Sequence, residues 1–456
     1  MSESVQHPDK NEAGEQPSQE TQPSGTVTRY QSLALLGSSL LAAVSTLVVT
    51  MIAQRALNGS ELTEFLLFWA ALFTVTGIIT GIQPEITRAV GTARTQTVSA
   101  DGSAPQGARV VTVTAALGAI AGALVLVSSP LWAGQQIPHS AAVGVTVMAV
   151  GVFLYALQAT MSGVTAGEDR WYLFAAVGGL ESAGRLILML AAALMIPSLA
   201  GLEVATVAPM GLWLILALVT VSGRRLWIAR ADVPARRLTT NILWSFLSSA
   251  AAAVLMMGFP NVLKASGAAE SEPVVLGTLI LAISITRSPI MIPLQAFQGV
   301  AVSAFLKQRH RPVAAFIKPA AAVVAVGAVG ALAAYLVGPL LFRLIYPPAA
   351  GAESAYEAAA SGVTLGALVF ASALLALMTL SGNMALAVNQ HRIYLAGWVV
   401  AAAVTLSLAF LIPAPLVPRA IVALAVGPVC GFVVHMVGVS LASRTEEARA
   451  KETHAE

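Results

Sequence analysis

Apolar runs of helix length, separated by short polar breaks, follow one another along almost the whole sequence. Twelve of them reach the roughly 20 residues needed to cross about 30 Å of hydrocarbon. They are predicted at about 31–54, 63–84, 109–130, 141–164, 171–195, 204–222, 240–263, 273–301, 313–342, 360–386, 392–413 and 417–442. Because only helices satisfy their own backbone hydrogen bonds in lipid at this length, the pattern predicts an all-α polytopic membrane protein.

The predicted spans fall into two series of six. The starts of the first series recur at an offset of about 210 residues, and at that offset Ser38–Val44 aligns with Ser248–Val254. Six spans in each half make both halves enter the membrane from the same side. We therefore expect two six-helix lobes related by a pseudo-twofold axis along the membrane normal. The alternative is that any twelve-span chain with short loops spaces its helices evenly.

An arginine-rich stretch between the two series indicates the orientation. Gly223–Arg237 carries five arginines, and each costs about 2.5–3.5 kcal/mol at the centre of a bilayer helix. The stretch must lie at a membrane surface, which the positive-inside rule makes cytoplasmic. We expect a bacterial inner membrane protein with both termini cytoplasmic, divided into a disordered tail at 1–29, a first lobe at 30–222, a basic linker at 223–238, a second lobe at 239–443 and a tail at 444–456.

Composition excludes most soluble and enzymatic classes. The chain is 57% hydrophobic and 10% charged, whereas soluble domains carry about 25% charged residues. Its single cysteine, Cys430, allows no internal disulfide. The sequence contains no Walker A motif, no metal-ligand spacing and no nucleophile elbow. We therefore predict no ATP hydrolysis, no catalytic residue, no metal site and no cofactor.

Arg287 is the first candidate functional residue. A charge at mid-membrane is costly, so a charged residue at this depth is by default a functional-site hypothesis. Pro289 and Pro293 follow it in the same span and free carbonyl groups that must face protein or water. A cation beside broken backbone favours an anion site at a water-filled cavity. The alternative is an arginine that satisfies freed carbonyls and locks a kink.

Two further groups lie within spans. Glu181 and Arg185 are four residues apart, hence on one helix face. They form either a structural ion pair or a gate, or Glu181 binds a proton or sodium ion. His435 has a side chain that can titrate near neutral pH, although a lone histidine in an apolar helix is more often a hydrogen-bonded core residue. Arg55 and Arg88 stand at predicted span ends, where anchoring to the membrane surface is the alternative to substrate binding.

The layout resembles the polysaccharide (Wzx-type) flippases of the multidrug/oligosaccharidyl-lipid/polysaccharide (MOP) superfamily. Three stretches carry the resemblance, which extends over about 31–443. Leu157–Gly167 leading into Glu181–Leu186 is similar to the family's passage from its fourth to its fifth span. Ile82–Arg88 looks like the polar end of the second span, and Leu341–Tyr346 like the close of the ninth.

The resemblance implies a flippase that moves polyprenyl-(di)phosphate-linked sugars or oligosaccharides to the outer leaflet for cell-envelope polysaccharide synthesis. Two lobes would rock by alternating access, and cavity-facing arginines would hold the phosphate. The implied substrate-binding residues are Arg287, Arg185, Arg88 and Arg55, with Glu181 and His435 for gating or ion coupling. Two mid-membrane arginines against one glutamate favour an anionic substrate.

The implied partners are the polyprenyl-phosphate-linked glycan, membrane lipids and the glycosyltransferases or polymerase of the same pathway, with no nucleic acid. Two alternatives stay open at this point. One is a MOP-superfamily exporter of another amphiphile, such as a drug, peptide or lipid. The other is a membrane scaffold without transport activity.

Overall fold

The computed structural model describes residues 28–99, 107–267, 273–307, 312–348, 353–388 and 390–453. In these ranges twelve helices are long and apolar enough to cross a membrane, which confirms the predicted all-α, twelve-span integral membrane protein. Numbered α1 to α12, they span Tyr30–Ala56, Gly59–Gln96, Val110–Leu131, Ala141–Gly167, Trp171–Met195, Leu199–Val219, Ala235–Ala265, Val274–Met291, Pro312–Ile345, Gly362–Ala387, His391–Leu411 and Leu416–Ser443. Beyond these spans, helix α8 continues to Lys307 and helix α12 continues to Thr453. Almost all of the predicted 1–29 tail lies outside the described residues.

Capping side chains start two helices several residues before the predicted spans. Asn58 accepts a hydrogen bond from the backbone N–H of Glu61 at 3.0 Å, and the Glu61 carboxylate accepts from the backbone N–H of Asn58 at 3.4 Å. This capping box sets the start of α2 at Gly59. Ser198 caps α6, because its hydroxyl accepts a hydrogen bond from the backbone N–H of Gly201 at 3.2 Å. Acidic residues that follow these caps therefore lie inside the spans.

Helix α2 is longer than predicted. A break at Thr80–Gly81 is followed by a second helical segment, Ile82–Ser99. Pro84 lies in the first turn of that segment, where a missing N–H leaves no helical carbonyl unpaired. The expectation that α2 ends near residue 84 is therefore wrong, and Arg88 lies within the helix rather than at its end.

The two lobes repeat one packing scheme. In the first lobe α1 packs on α5, α2 on α4, α3 on α4, and α6 on both α4 and α5. In the second lobe the contacts are those of α7 with α11, α8 with α10, α9 with α10, and α12 with α10 and α11. Every one of these pairs corresponds to its counterpart after a shift of six helices. The predicted pair of six-helix lobes thus has a matching internal architecture.

The lobes share a core at one end of the bundle. Because twelve spans return the chain to its starting side, residues 28 and 453 belong to the same end, which we call the terminal end; the other is the far end. At the far end one apolar cluster includes Phe65 of the first lobe and Phe342 of the second. The hydroxyls of Thr50 and Tyr346 are hydrogen-bonded across the same boundary at 2.7 Å. Side-chain packing therefore joins the lobes at the far end.

At the terminal end the first-lobe core takes in α7, whereas other helices of the second lobe build a cluster of their own. Ile86 and Met161 belong to a first-lobe cluster, which α7 joins through Ile242. Phe305 and Met384 belong to a cluster built from α8, α9, α10 and α12. In α1 no side chain from residue 30 to residue 44 is buried, although its far half buries several. The lobes therefore share a core at the far end, whereas the first half of α1 is only loosely covered by the rest of the protein.

Candidate functional site

Arg287 of α8 is held by a defect in α7. Val254–Gly258 forms a π-helical turn, and Pro260 follows it. In a regular helix the N–H of residue 260 would donate to the carbonyl oxygen of Met256, but proline has no N–H. The Nη1 atom of Arg287 donates to that carbonyl oxygen instead. The arginine therefore satisfies a freed carbonyl, as the structural alternative anticipated, but the carbonyl belongs to α7 rather than to α8.

The rest of the Arg287 guanidinium has few partners. Its Nε atom is buried without a hydrogen-bond partner, and no carboxylate among the described residues forms an ion pair with it. A cavity of about 10 Å³ beside it is also lined by Thr286, Ser372 and Pro428. This volume is close to that of one water probe. Arg287 is thus a partly buried cation whose hydrogen-bond partner is a neutral carbonyl and which has no carboxylate partner among the described residues.

Glu181 and Arg185 form the expected i, i+4 ion pair inside the first lobe. The side chains are only 14% and 7% exposed. The amide of Gln158 in α4 donates to the second carboxylate oxygen of Glu181 at 2.6 Å. The Arg185 guanidinium lies over the rings of Trp69 and Phe73, with 5.8 Å and 5.2 Å to their centroids. Cation–π contacts and one carboxylate thus compensate the charge of Arg185 locally.

Arg88 is bound by two carboxylates at the terminal end. It donates to Glu85 one turn earlier at 2.7 Å and to Asp232 of the central linker at 2.9 Å. Glu85 also accepts from the side-chain amide of Asn241 in α7 at 2.8 Å. Arg88 therefore ties α2 to the linker and to α7.

Arg55 and His435 lie far from these groups. Arg55 is exposed at the far end of α1 and donates to the carbonyl of Met51 at 3.1 Å. His435 is fully buried, and its Nε2 donates to the carbonyl of Tyr394 at 3.0 Å because a carbonyl can only accept. Its Nδ1 lies 2.9 Å from the Ser381 hydroxyl. Both ring nitrogens thus have partners, which is the geometry of a core histidine.

The predicted site residues therefore occupy separate places. Glu181 and Arg185 share one network in the first lobe, whereas Arg287 and His435 lie apart in the second. Arg88 and Arg55 lie at opposite ends of the bundle. Among the described residues no group of three or more histidine, cysteine, aspartate or glutamate side chains is placed to hold a metal ion.

Sequence reasoning missed a carboxyl pair at the far end of the first lobe. Glu64 of α2 and Glu203 of α6 are 4% and 0% exposed, and the hydroxyl of Ser140 lies between them. Both glutamates follow the helix caps at Asn58 and Ser198, which were the available signal. With them, the interior charge is not the expected two arginines against one glutamate, and that argument for an anionic substrate fails.

A pocket of about 50 Å³ lies where the lobes meet at the far end. It is lined by residues of both lobes, among them Gln54, Thr63, Gly277 and Tyr356. Tyr356 belongs to the short helix Glu353–Ala360 outside the spans, and burial raises the pKa of its phenol to about 12. The small volume leaves room in this pocket for little more than solvent.

No protein-family model matches the sequence. The chain is 34% identical over 431 residues to the Mycobacterium tuberculosis protein described as uncharacterized protein Rv3630, covering 93% of this chain and 95% of that protein. Among solved structures, the inward-facing conformation of a multidrug resistance MATE family transporter of the MOP superfamily superimposes with a TM-score of 0.66 at 14% identity, covering 91% of this chain and 99% of that one. The lipid II flippase MurJ in its inward closed conformation gives a TM-score of 0.66 at 9% identity, covering 91% and 88%. At these identities the likeness establishes the fold.

Proposed function

The chain belongs to the same family as Rv3630 of Mycobacterium tuberculosis and has the fold of MOP-superfamily transporters, and we propose that it is a membrane transporter that flips a polyprenyl-(di)phosphate-linked sugar or oligosaccharide. The glycan moves from the cytoplasmic to the outer leaflet of a bacterial inner membrane and feeds cell-envelope polysaccharide synthesis. Both termini are cytoplasmic. Glycosyltransferases or a polymerase that make and consume the glycan are its expected partners.

Arg287 carries the proposal. Its guanidinium has one neutral partner, the Met256 carbonyl, and no carboxylate among the described residues. A diphosphate supplies the missing negative charge and accepts bidentate hydrogen bonds from arginine. Because the adjacent cavity holds about one water, the helices that line it, α8, α10 and α12 with one residue of α7, must move apart before a diphosphate enters.

The lobe arrangement supports alternating access. At the far end one core includes helices of both lobes, while at the terminal end the first-lobe core includes α7 and a second cluster is built from α8, α9, α10 and α12. A lipid headgroup therefore enters from the terminal, cytoplasmic end, and its polyprenyl tail stays in the bilayer. Rocking of the lobes about the far end then exposes the site on the other side. In this mechanism Arg185 and Glu181 keep their pairing and act as structural supports.

A second candidate function is export of a cationic amphiphile. Buried or partly buried glutamates of the first lobe, among them Glu64, Glu85, Glu181 and Glu203, outnumber its one buried arginine, Arg185. Buried carboxylates attract cations, and the superimposed MATE structure is that of a multidrug resistance transporter. The glutamates are, however, engaged by Ser140, Gln158 and Arg185, whereas Arg287 has no ionic partner. This difference favours the anionic substrate.

The test is binding of a polyprenyl-diphosphate headgroup analogue to the purified full-length protein. Removal of a buried charge partner in Arg287→Met should weaken binding by about 2–5 kcal/mol. Arg287→Lys keeps the charge and should retain part of the affinity. Arg343→Met, at an exposed arginine of α9, is the matched control and should bind like wild type.

Translocation of a fluorescent polyprenyl-diphosphate sugar in proteoliposomes completes the test. Wild type and Arg343→Met should move the lipid, and Arg287→Met should not. Equal binding by wild type and Arg287→Met would show that Arg287 only stabilises α7 through the Met256 carbonyl and does not bind the substrate. Translocation of a cationic dye without movement of the glycan lipid would support the second candidate instead.

A further inference from the structure

Two glutamates from different helices meet at one serine hydroxyl in the far end of the first lobe. Ser140, the N-cap residue of α4, places its Oγ atom 3.1 Å from a Glu64 oxygen and 2.7 Å from a Glu203 oxygen. Both glutamates are buried. The site lies away from Arg287, and neither the predicted gating residues nor the proposed phosphate site uses it.

Glu64 has the surroundings of an ionised carboxylate. One oxygen accepts from the backbone N–H of Ser140 at 2.8 Å. The other lies 2.7 Å from the Nδ1 atom of His139. Donors therefore reach both oxygens of Glu64, and its negative charge is compensated by charge-assisted hydrogen bonds.

Glu203 has the opposite surroundings. Its Oε2 atom is buried and has no hydrogen-bond partner among the described residues, and its Oε1 atom contacts only the Ser140 hydroxyl. A fully buried carboxylate with one contact would carry a large desolvation penalty. Moreover, the single hydroxyl hydrogen of Ser140 cannot be donated fully to both glutamates. A proton on Glu203 removes both difficulties, because the carboxyl group then donates to Ser140.

We propose that Glu203 is a proton-binding site, in which its carboxyl O–H donates to Ser140 and the Ser140 O–H donates to Glu64. Release is a relay in which only O–H bonds change. Glu203 passes its proton to Ser140 while Ser140 passes its own hydrogen to Glu64, and Glu64 then loses that proton to water beside the exposed His139. The His139 side chain is 70% exposed and connects the pair to the far face.

The other charged groups near α6 are neutralised by neighbours. From α5 the Arg185–Glu181 pair approaches, with Arg185 Nε donating to the carbonyl of Thr206 one turn beyond Glu203 at 3.4 Å. From α4 the phenol of Tyr155 lies near that pair. From α2 only Glu64 faces Glu203, because Glu61 is engaged in the capping box. Burial first, and then the Ser140 hydroxyl and the charge of Glu64, therefore govern the proton on Glu203.

Occupancy of this site bears on how the far end closes. Without the proton, two carboxylates flank one hydroxyl, and their repulsion pushes α2 away from α6. Thr63, next to Glu64, packs tightly on Gly277 of α8. A Cβ added to Gly277 would lie 2.4 Å from the hydroxyl oxygen of Thr63. Movement of α2 thus disturbs the boundary between the lobes. This coupling rests on the proposed transport cycle, whereas proton binding itself does not.

Infrared difference spectroscopy tests proton binding without any substrate. Full-length protein in lipid nanodiscs should show a carboxylic acid C=O band that is lost as the pH rises from about 5 to about 9. Glu203→Gln should lose this band, and Glu357→Gln, at an exposed glutamate, should keep it. Ser140→Ala should shift the band to the frequency of a carboxyl group with one fewer hydrogen bond.

Two outcomes would overturn the assignment. One is a band that persists in Glu203→Gln or is absent from wild type. The other is a band that sodium removes at constant pH, which would make the site a cation site. Because no substrate is present, either result can occur whether or not the protein flips a glycan lipid.

Cysteine labelling tests the coupling. Gln54→Cys in a Cys430→Ser background places a thiol in the far-end pocket. Its labelling rate should rise several-fold with pH when Glu203 is present. In Glu203→Gln, which mimics the protonated state, the rate should stay low after correction for the thiol's own ionisation. An equal pH response in both backgrounds would show that the proton does not control far-end closure.

Discussion

Arg287 of α8 supplies the hydrogen bond that Met256 of α7 lacks, because Pro260 removes the donor a regular helix would provide. An irregular turn in one helix and a charged side chain in its neighbour therefore depend on each other. This dependence can be separated from any role in substrate binding, since it involves only a main-chain carbonyl.

The first prediction tests the hydrogen bond from Arg287 to Met256 without any substrate. Arg287→Met should destabilise the protein by about 1–3 kcal/mol, because the partly buried Met256 carbonyl loses the donor that pairs with it. Pro260→Ala restores an N–H at the helical position, so the double variant should recover much of the loss. Thermal unfolding in detergent of the wild type, both single variants and the double variant forms a double-mutant cycle. Strictly additive effects would show that Arg287 does not support the π-turn.

The second prediction concerns the Glu181–Arg185 pair. Glu181→Gln should cost about 3–5 kcal/mol, because it leaves the buried Arg185 without its counter-charge. Combining it with Arg185→Met removes both charges and should be less destabilising than the single change. Unfolding temperatures and expression yields of the three variants give the measurement. If the double variant is the least stable, the pair contributes more than mutual neutralisation.

The third prediction concerns the tight contact of α3 with α4. A Cβ at Gly122 would lie 2.8 Å from the carbonyl oxygen of Ala149, so Gly122→Ala should cost about 1–3 kcal/mol. Gly37 of α1 has no atom within 4 Å of such a Cβ, and Gly37→Ala is the matched control. The control should be neutral or stabilising by about 0.5–1 kcal/mol, because alanine favours the helix. Unfolding curves that rank the two variants in the reverse order would refute this packing.

The fourth prediction is a pH dependence at the far end. Tyr356 ionises with a pKa of about 12 in the folded protein, above its ordinary value of 10.0, because the neutral phenol is favoured by burial. The resulting stabilisation is complete below pH 10.0 and is lost as the pH rises through about 12. Ultraviolet difference titration of wild type and Tyr356→Phe should resolve this late tyrosinate. A spectrum of Tyr356→Phe that matches wild type near that pH would contradict the assignment.

The number and class of the helices followed from the sequence because each apolar run is long and lipid requires helices. Helix starts did not follow as well. The Asn58–Glu61 capping box and the Ser198 cap are polar, so a search for apolar runs left Glu64 and Glu203 at the edges of spans or outside them. Recognising the caps first would have placed both acids inside the helices.

The partners of the candidate residues were predictable only where they are close in sequence. The Glu181–Arg185 pair follows from helical spacing. The contact of Arg287 with Met256 spans 31 positions and depends on a π-turn, which no spacing rule reveals. The same holds for Asp232 and Arg88, which are 144 positions apart.

The far end and the terminal end differ in how much apolar surface they bury. Any transport cycle that opens each end in turn must therefore balance the apolar area exposed at one end against the area covered at the other. Opening the far end exposes apolar surface around Phe65 and Phe342 to water, at about 25 cal/mol for each Å². Such a state is populated only if comparable apolar area is covered elsewhere. At the terminal end Leu36 and Leu40 of α1 and Trp244 of α7 are apolar side chains that the rest of the protein leaves uncovered. The sparse packing of the first half of α1 is thus a reserve of hydrophobic surface that can keep two opposite closures close in energy.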